Sequence, residues 1–199
     1  MVSHPSGVRI LRARDRTPVP WKNGGGLTRE VAVHPAGSGL DDFDWRVSIA
    51  EVRAGGPFSA FPGIERQMAV LSGRLVLSIA GGETVTLSPE SPPLRFAGEA
   101  AVLAQPLQEP VTDLNLMTRT SRCSGRLTLR IARTTEPLRA AAHTTVLIAL
   151  GPLDLAGQVG QLHLGVLDAV LIARWTHCEV GAAGSEGAAY YLAEIEFPS

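Results

Sequence analysis

Residues 21–33 read Trp-Lys-Asn-Gly-Gly-Gly-Leu-Thr-Arg-Glu-Val-Ala-Val, a glycine-rich turn followed by a strand-like segment. Three consecutive glycines allow positive φ angles and close approach of the backbone to another group. After them, the odd-numbered positions from Leu27 to Val33 take one face of a strand, and the even-numbered positions, which include Thr28 and Glu30, take the other. The stretch therefore predicts a turn that leads into a half-polar β-strand.

The same pattern recurs along the chain, where short runs of Val, Leu and Ile alternate with turns. Gly and Pro account for 21 and 14 of the 199 residues, and no segment keeps a 3.6-residue period long enough for a helix. Many short strands with regular turns favour a sandwich or a barrel. We predict Ser72-Gly73 and Gly81-Gly82 as turns, Thr134–Ala142 as a helical candidate and Gly181–Ala188 as a loop. The predicted strands are Val8–Arg12, Leu27–Val33, Trp45–Val52, Arg66–Leu71, Arg74–Ile79, Thr84–Leu87, Val111–Thr118, Leu127–Ala132, Thr145–Leu150, Gln161–Val166, Ala169–Ala173 and Tyr191–Phe197.

Charge and composition limit the classes of partner. The net charge is −1 and the arginines are scattered, so neither nucleic acid nor an anionic membrane is expected to bind. The two cysteines form no disulfide framework, the N-terminus lacks the apolar core of a signal peptide, and no apolar run approaches the roughly 18 residues of a membrane helix. We therefore expect a cytoplasmic protein.

Neither a metal site nor a catalytic nucleophile is predicted. The five histidines are well separated and form no His-x-His or His-x-x-x-His pair, and the motif Gly-x-Ser-x-Gly is absent. No catalytic residue, metal or cofactor is therefore assigned.

Polar residues at alternating strand positions are the candidate site. Lys22 is the only lysine among 18 basic residues, and it precedes the glycines, which excludes a phosphate-binding loop. Thr28 and Glu30 share one strand face, as do Arg46 and Ser48. Alternation alone leaves open whether these faces meet solvent or line a pocket, where buried charges would have to be paired.

Four segments, residues 21–30, 43–52, 56–66 and 113–119, together resemble the signature of the HutD/Ves family in order and spacing. The resemblance implies a cupin-type β-barrel, duplicated as a bicupin. We place the N-terminal barrel at 1–120 and a C-terminal cupin-like domain at 121–199, with strand exchange between the halves left open. Where enzymatic cupins place metal-binding histidines, this chain has Arg66 and Met68, a departure that favours binding over metal catalysis.

The resemblance also implies a role in bacterial histidine utilisation. We expect a regulatory protein whose metal-free pocket binds a small carboxylate such as urocanate or formylglutamate. Two alternatives stay open: a metal-independent isomerase or hydrolase with Glu30 as base and Arg46 or Arg66 as anchor, and a structural partner with a vestigial pocket. The expected partner is a small anionic molecule, and a homodimer stays open. The predicted ligand-binding residues are Trp21, Lys22, Asn23, Thr28, Glu30, Arg46, Ser48, Phe58, Phe61, Arg66 and Asn115.

One ambiguity concerns charge. Arg46 and Arg66 could both hold an anionic ligand in a bidentate grip. Alternatively, Glu30 could pair with one arginine and leave the other for the ligand.

Overall fold

Strands make up nearly all the regular structure in the computed structural model, which describes residues 7–184 and 187–198. This confirms the all-β prediction. A short 3-10 helix, Ala13–Asp15, follows the first strand. The strands are β1 (Val8–Leu11), β2 (Pro18–Pro20), β3 (Gly26–His34), β4 (Trp45–Val52), β5 (Gly56–Pro57), β6 (Ile64–Ile79), β7 (Thr84–Leu87), β8 (Leu94–Ala97), β9 (Val102–Arg119), β10 (Ser124–Ala132), β11 (Glu136–Arg139), β12 (Thr144–Ala149), β13 (Leu153–Gly157), β14 (Leu162–Leu164), β15 (Ala169–Ala173), β16 (His177–Ala182) and β17 (Ala188–Glu196).

One compact unit spans Arg16–Ser124 and contains a single curled eight-stranded sheet. The strands run in the order β2-β3-β4-β9-β6-β7, with β5 also paired to β9 and β8 also paired to β6. The concave face encloses an apolar core built on residues such as Met68, Val70, Leu75 and Leu77. Burial of these side chains stabilises the curl, since each contributes roughly 1.5–3 kcal/mol when fully removed from water.

A bulge in β3 corrects the predicted alternation. Glu30 pairs with Ser48, but Ala32 pairs with Val47, so one extra residue, Val31, is inserted between them. The predicted faces are therefore correct up to Glu30 and exchanged beyond it.

A second correction concerns Ser72-Gly73, which is not a turn. β6 runs continuously through both residues, and its pairing with β9 shifts register between Val70 and Leu75. Gly73 takes the positive φ of 81° that this irregularity requires. Gly81-Gly82 is a turn, as predicted, with the Gly82 N–H donating to the Ile79 carbonyl at 3.0 Å.

The other compact unit combines Gly125–Ser199 with the chain up to Asp15. Its five-stranded sheet has the order β1-β15-β12-β17-β10, and its four-stranded sheet has the order β11-β16-β13-β14. β1 therefore joins the unit that contains the C-terminal residues, by antiparallel pairing with β15.

The helical prediction for Thr134–Ala142 is wrong. This segment contains β11, which pairs antiparallel with β16, and Leu138 packs against the apolar core of its unit. Pairing and burial outweigh local propensity here, which is weak for a segment this short. In the predicted loop Gly181–Ala188, β16 ends at Ala182 and β17 begins at Ala188, while residues 185–186 lie outside the described residues. No helix among the described residues is long and apolar enough to cross a membrane.

Candidate functional site

The predicted polar faces point into the curled sheet of the Arg16–Ser124 unit. Directly paired residues of antiparallel strands lie on the same side of a sheet. Met68 and Val70 belong to the apolar core, so the rows that contain them mark the interior face. Three neighbouring rows across β3, β4, β9 and β6 share this face: Thr28–Ala50–Asp113–Val70, Glu30–Ser48–Asn115–Met68 and Val33–Arg46–Met117–Arg66.

Arg66 is the buried cation of this face. It is only 7% exposed, and its guanidinium carbon lies 5.0 Å from the ring centre of Phe58 and 5.1 Å from that of Phe96. Its Nη2 donates to Asn115 Oδ1 at 2.8 Å, whereas its Nε has no hydrogen-bond partner among the described residues. Desolvation lowers the pKa of Arg66 to about 10, against the opposing effect of Asp113, so the guanidinium stays charged at neutral pH.

Asp113 is the buried acid of the same face, at 1% exposure. Its Oδ1 accepts a hydrogen bond from Asn115 Nδ2, and within the described part of the chain its Oδ2 has no partner. Desolvation raises the pKa of Asp113 to about 7, although Arg66 and the Asn115 hydrogen bond act in the opposite direction. Arg66, Asn115 and Asp113 thus form a hydrogen-bonded chain, and the polar atom at each end has no partner in the described parts of the protein.

Arg46 is committed to a different partner. Its Nε donates to Glu30 Oε2 at 3.0 Å, with the Glu30 side chain 43% exposed. Glu30 therefore pairs with Arg46, and Arg66 keeps a donor that has no partner among the residues that the structure describes.

The glycine-rich turn positions Trp21 at the edge of this face. The Trp21 indole Nε1 donates to Thr28 Oγ1 at 2.8 Å, and its ring meets Phe58 edge-on at 6.3 Å. A Cβ on Gly26 would lie 2.3 Å from the Glu51 carbonyl oxygen and 3.2 Å from the Trp21 ring. Only glycine therefore lets the tryptophan pack at this point.

The remaining predicted residues lie on the glycine-rich turn, in a separate apolar cluster and on β4. Lys22 and Asn23 are exposed on the turn, where Asn23 Oδ1 accepts a hydrogen bond from the Gly25 N–H at 3.0 Å. Phe61 packs against an apolar cluster that includes Phe43 and Ile64. Ser48 is buried in the row that contains Asn115.

A model of the HutD family matches residues 13–189, nearly the whole chain. The chain belongs to the HutD family. Among its relatives, an uncharacterised 21.2 kDa protein from the hutC 3′ region of Pseudomonas putida is 34% identical over 82% of this chain and 85% of that protein. Protein Ves of Citrobacter koseri is 39% identical over 54% of this chain and 56% of its own length.

Solved structures agree with the HutD assignment. HutD from Pseudomonas fluorescens SBW25 superposes with a TM-score of 0.82 at 29% identity, covering 96% of this chain and all of that one. A cupin 2 conserved barrel protein from Leptotrichia buccalis superposes with a TM-score of 0.61 at 10% identity, over 94% of this chain and all of that one. The predicted cupin-type fold is thus confirmed.

The interior of this HutD chain does not suit the metal that enzymatic cupins bind. At the positions where the resemblance places metal-binding histidines, Arg66 supplies a buried cation and Met68 lies in the apolar core. A guanidinium repels a metal cation and cannot ligate it. No group of three or more His, Cys, Asp or Glu in residues 7–184 and 187–198 could hold a metal.

Two residues of the interior face were missing from the sequence-based site. Asp113 shares a strand face with the predicted Asn115, and both are poor strand formers, which was the available signal. Phe96 lies directly opposite Arg66 in the β6–β8 pairing. No sequence pattern marks it, because the contact depends on non-local strand pairing.

Proposed function

We propose that this HutD-family protein binds a small carboxylate on the interior face of its Arg16–Ser124 unit. The observation that carries the proposal is the Nε of Arg66, a charged donor that is buried and has no partner among the described residues. A buried donor without an acceptor costs about 1–3 kcal/mol, and more when it is charged. A carboxylate ligand would supply the missing acceptor in a charge-assisted hydrogen bond.

The surroundings of Arg66 support a small ligand with apolar parts. Phe58 and Phe96 flank the guanidinium, and Trp21 meets Phe58 at the turn. Pockets for small molecules commonly combine aromatic walls with a few polar groups that fix orientation. The ion pair of Arg46 with Glu30 leaves Arg66 as the principal anchor.

The names of the HutD family model and of the hutC-region relative share the designation hut, which supports a role related to histidine utilisation. We propose that the ligand is a pathway intermediate such as urocanate or formylglutamate, and that binding regulates the pathway in the cytoplasm. The proposed ligands are small carboxylates, which suit the cationic Arg66 and its aromatic neighbours.

A thermal-shift screen against histidine-pathway intermediates, followed by calorimetry on the hit, tests the proposal. A ligand that binds the native state raises its stability by RT ln(1 + [L]/Kd), roughly 2.7 kcal/mol at about 100 times Kd. Arg66→Ala should weaken binding by roughly 1.5–3 kcal/mol. Arg74→Ala is the matched control, because Arg74 lies on the same strand but is exposed. Equal affinities for both variants would refute the site.

The enzymatic alternative is tested at Glu30. As a general base, Glu30 would control a turnover rate, but its carboxylate accepts a hydrogen bond from Arg46. We expect no conversion of urocanate or formylglutamate by the wild-type protein. Turnover that Glu30→Gln abolishes while binding persists would favour the enzyme over the regulator.

A further inference from the structure

Asp113 has two carboxylate oxygens in unequal surroundings. Oδ1 accepts a hydrogen bond from Asn115, whereas Oδ2 is buried and unpartnered in the described part of the chain. The side-chain oxygen Oδ1 of Asn115 already accepts a hydrogen bond from Arg66 Nη2. Asn115 therefore holds the acid and the guanidinium in a fixed relation.

The charged residues that share the interior face with Asp113 come from three neighbouring strands. β6 contributes Arg66, β4 contributes Arg46 and β3 contributes Glu30. Arg46 and Glu30 neutralise each other, so Arg66 is the cation that compensates a charged Asp113. A ligand carboxylate on Arg66 would compete with Asp113 for that cation, and two carboxylates sharing one site repel each other.

A shared proton removes this conflict. We propose that Asp113 contacts the ligand as a neutral carboxylic acid, whose Oδ2–H donates to the carboxylate held by Arg66, so that binding takes up a proton from solvent. The inference rests on the proposed function and adds a second residue that determines specificity. It selects ligands that present an oxygen acceptor and disfavours those that present an N–H or ammonium group to Asp113.

The proton balance is simple. Above neutral pH the free protein carries Asp113 as an anion, the proton moves from buffer to Oδ2 during binding, and no other bond forms or breaks. Burial raises the pKa of Asp113 to about 7, so protonation of this carboxylate costs little free energy near neutral pH. Urocanate is a suitable probe at pH 8–9, because its carboxylate is ionised and its imidazole, with an ordinary pKa of about 6.5, is almost entirely neutral there.

Calorimetry with urocanate at pH 8, in HEPES and in Tris, measures the proton uptake. We expect the enthalpies in the two buffers to differ by nearly one proton's worth of buffer ionisation, and Kd to rise about tenfold per pH unit above pH 7. Asp113→Asn places an amide N–H donor where the acid was. This variant should keep binding at pH 8 while losing both the buffer dependence and the pH dependence.

Each contrary outcome has a distinct meaning. Binding that Arg66→Ala abolishes, but that takes up no proton in the wild type, would overturn the role of Asp113 and leave the carboxylate site intact. Asp113→Asn binding much more weakly at pH 8 would mean that Asp113 acts as an anionic acceptor, which also overturns the inference. Failure of urocanate and formylglutamate to bind the wild-type protein would overturn both proposals.

Discussion

At the residue scale, burial of charge distinguishes the candidate site from ordinary strand faces. The sequence could identify Arg66 and Asn115 because both lie in segments that resemble the HutD/Ves signature. It could not show that the Arg66 guanidinium contacts two phenylalanine rings or that Asp113 completes the chain of hydrogen bonds. These contacts depend on which strands pair, and local sequence does not encode that pairing.

Asp113 should make the protein less stable as pH rises from about 4 to about 7. Its pKa rises from the ordinary 3.8 to about 7 on folding, so in this window the folded state keeps a proton that the unfolded state has lost. The free energy of unfolding therefore falls with pH, at up to about 1.4 kcal/mol per pH unit. In urea titrations across this range, Asp113→Asn should remove this part of the slope, and Asp154→Asn, at an exposed residue, should not. The same slope in the Asp113 variant and the wild type would contradict the assignment.

Gly26 should be irreplaceable by alanine. A Cβ would lie 2.3 Å from the Glu51 carbonyl oxygen, so the turn must shift and Trp21 must move with it. We expect Gly26→Ala to cost about 1–3 kcal/mol, the usual range for overpacking. The free energy of unfolding from urea titration measures this cost. Gly24→Asn is the control, because Gly24 has open space around its Cβ position and asparagine tolerates the positive φ of 71°. If Gly26→Ala lowers the free energy of unfolding no more than Gly24→Asn does, the turn accommodates the added Cβ without strain.

At the element scale, two long strands and their irregularities shape the interior face. β6 and β9 were predicted only as fragments, because their bulges interrupt the alternation that marks a strand. Existence of the strands could be predicted from the apolar runs. The register shift in β6 could not be predicted, since a Ser-Gly pair such as Ser72-Gly73 has the same sequence signature in a bulge and in a turn.

Substitution of Gly73 tests how tightly the irregular part of β6 is packed. Gly73 has a φ of 81°, and a Cβ would lie 3.0 Å from Val111 Cγ2 and 3.3 Å from its Cα. Gly81 has a similar φ of 75°, with nothing within 4 Å of its Cβ position. Alanine at either position carries a backbone strain of about 1–2 kcal/mol. Because overpacking adds to this strain at Gly73 alone, Gly73→Ala should lower the free energy of unfolding by about 1 kcal/mol more than Gly81→Ala. Urea unfolding of the two variants measures this difference. Equal decreases in the free energy of unfolding would refute the packing argument.

At the scale of the whole molecule, the start of the chain belongs to the unit that contains its C-terminal residues. Division near residue 120 was inferred from the sequence, but the pairing of β1 with β15 joins residues about 160 positions apart, which no local pattern reveals. Asp168 binds the residues that directly follow β1. It accepts hydrogen bonds from Arg12 Nη1 at 2.7 Å and from the Ala13 N–H at 2.8 Å.

Loss of Asp168 should therefore destabilise the unit. Asp168→Ala removes the acceptor for Arg12 and for the Ala13 and Gly165 N–H groups. We expect a cost of about 2–4 kcal/mol in the free energy of unfolding, between the cost of an unsatisfied donor and that of a broken buried ion pair. Asp154→Ala, which removes an exposed pair with His163, should cost under about 1 kcal/mol. Chemical denaturation of both variants measures the difference, and similar losses would mean that β1 is held by strand pairing alone.

In the proposed complex, the Nε of Arg66, which has no partner among the described residues, donates to a ligand carboxylate. The most direct test of this contact follows the Arg66 Nε–H resonance by ¹⁵N NMR, assigned through its loss in Arg66→Lys, while urocanate is added. We predict a downfield proton shift, as a new charge-assisted hydrogen bond forms, that saturates at the Kd found by calorimetry, with the exposed Arg74 resonance unchanged. A saturated protein whose Arg66 Nε–H resonance has not moved would contradict the account.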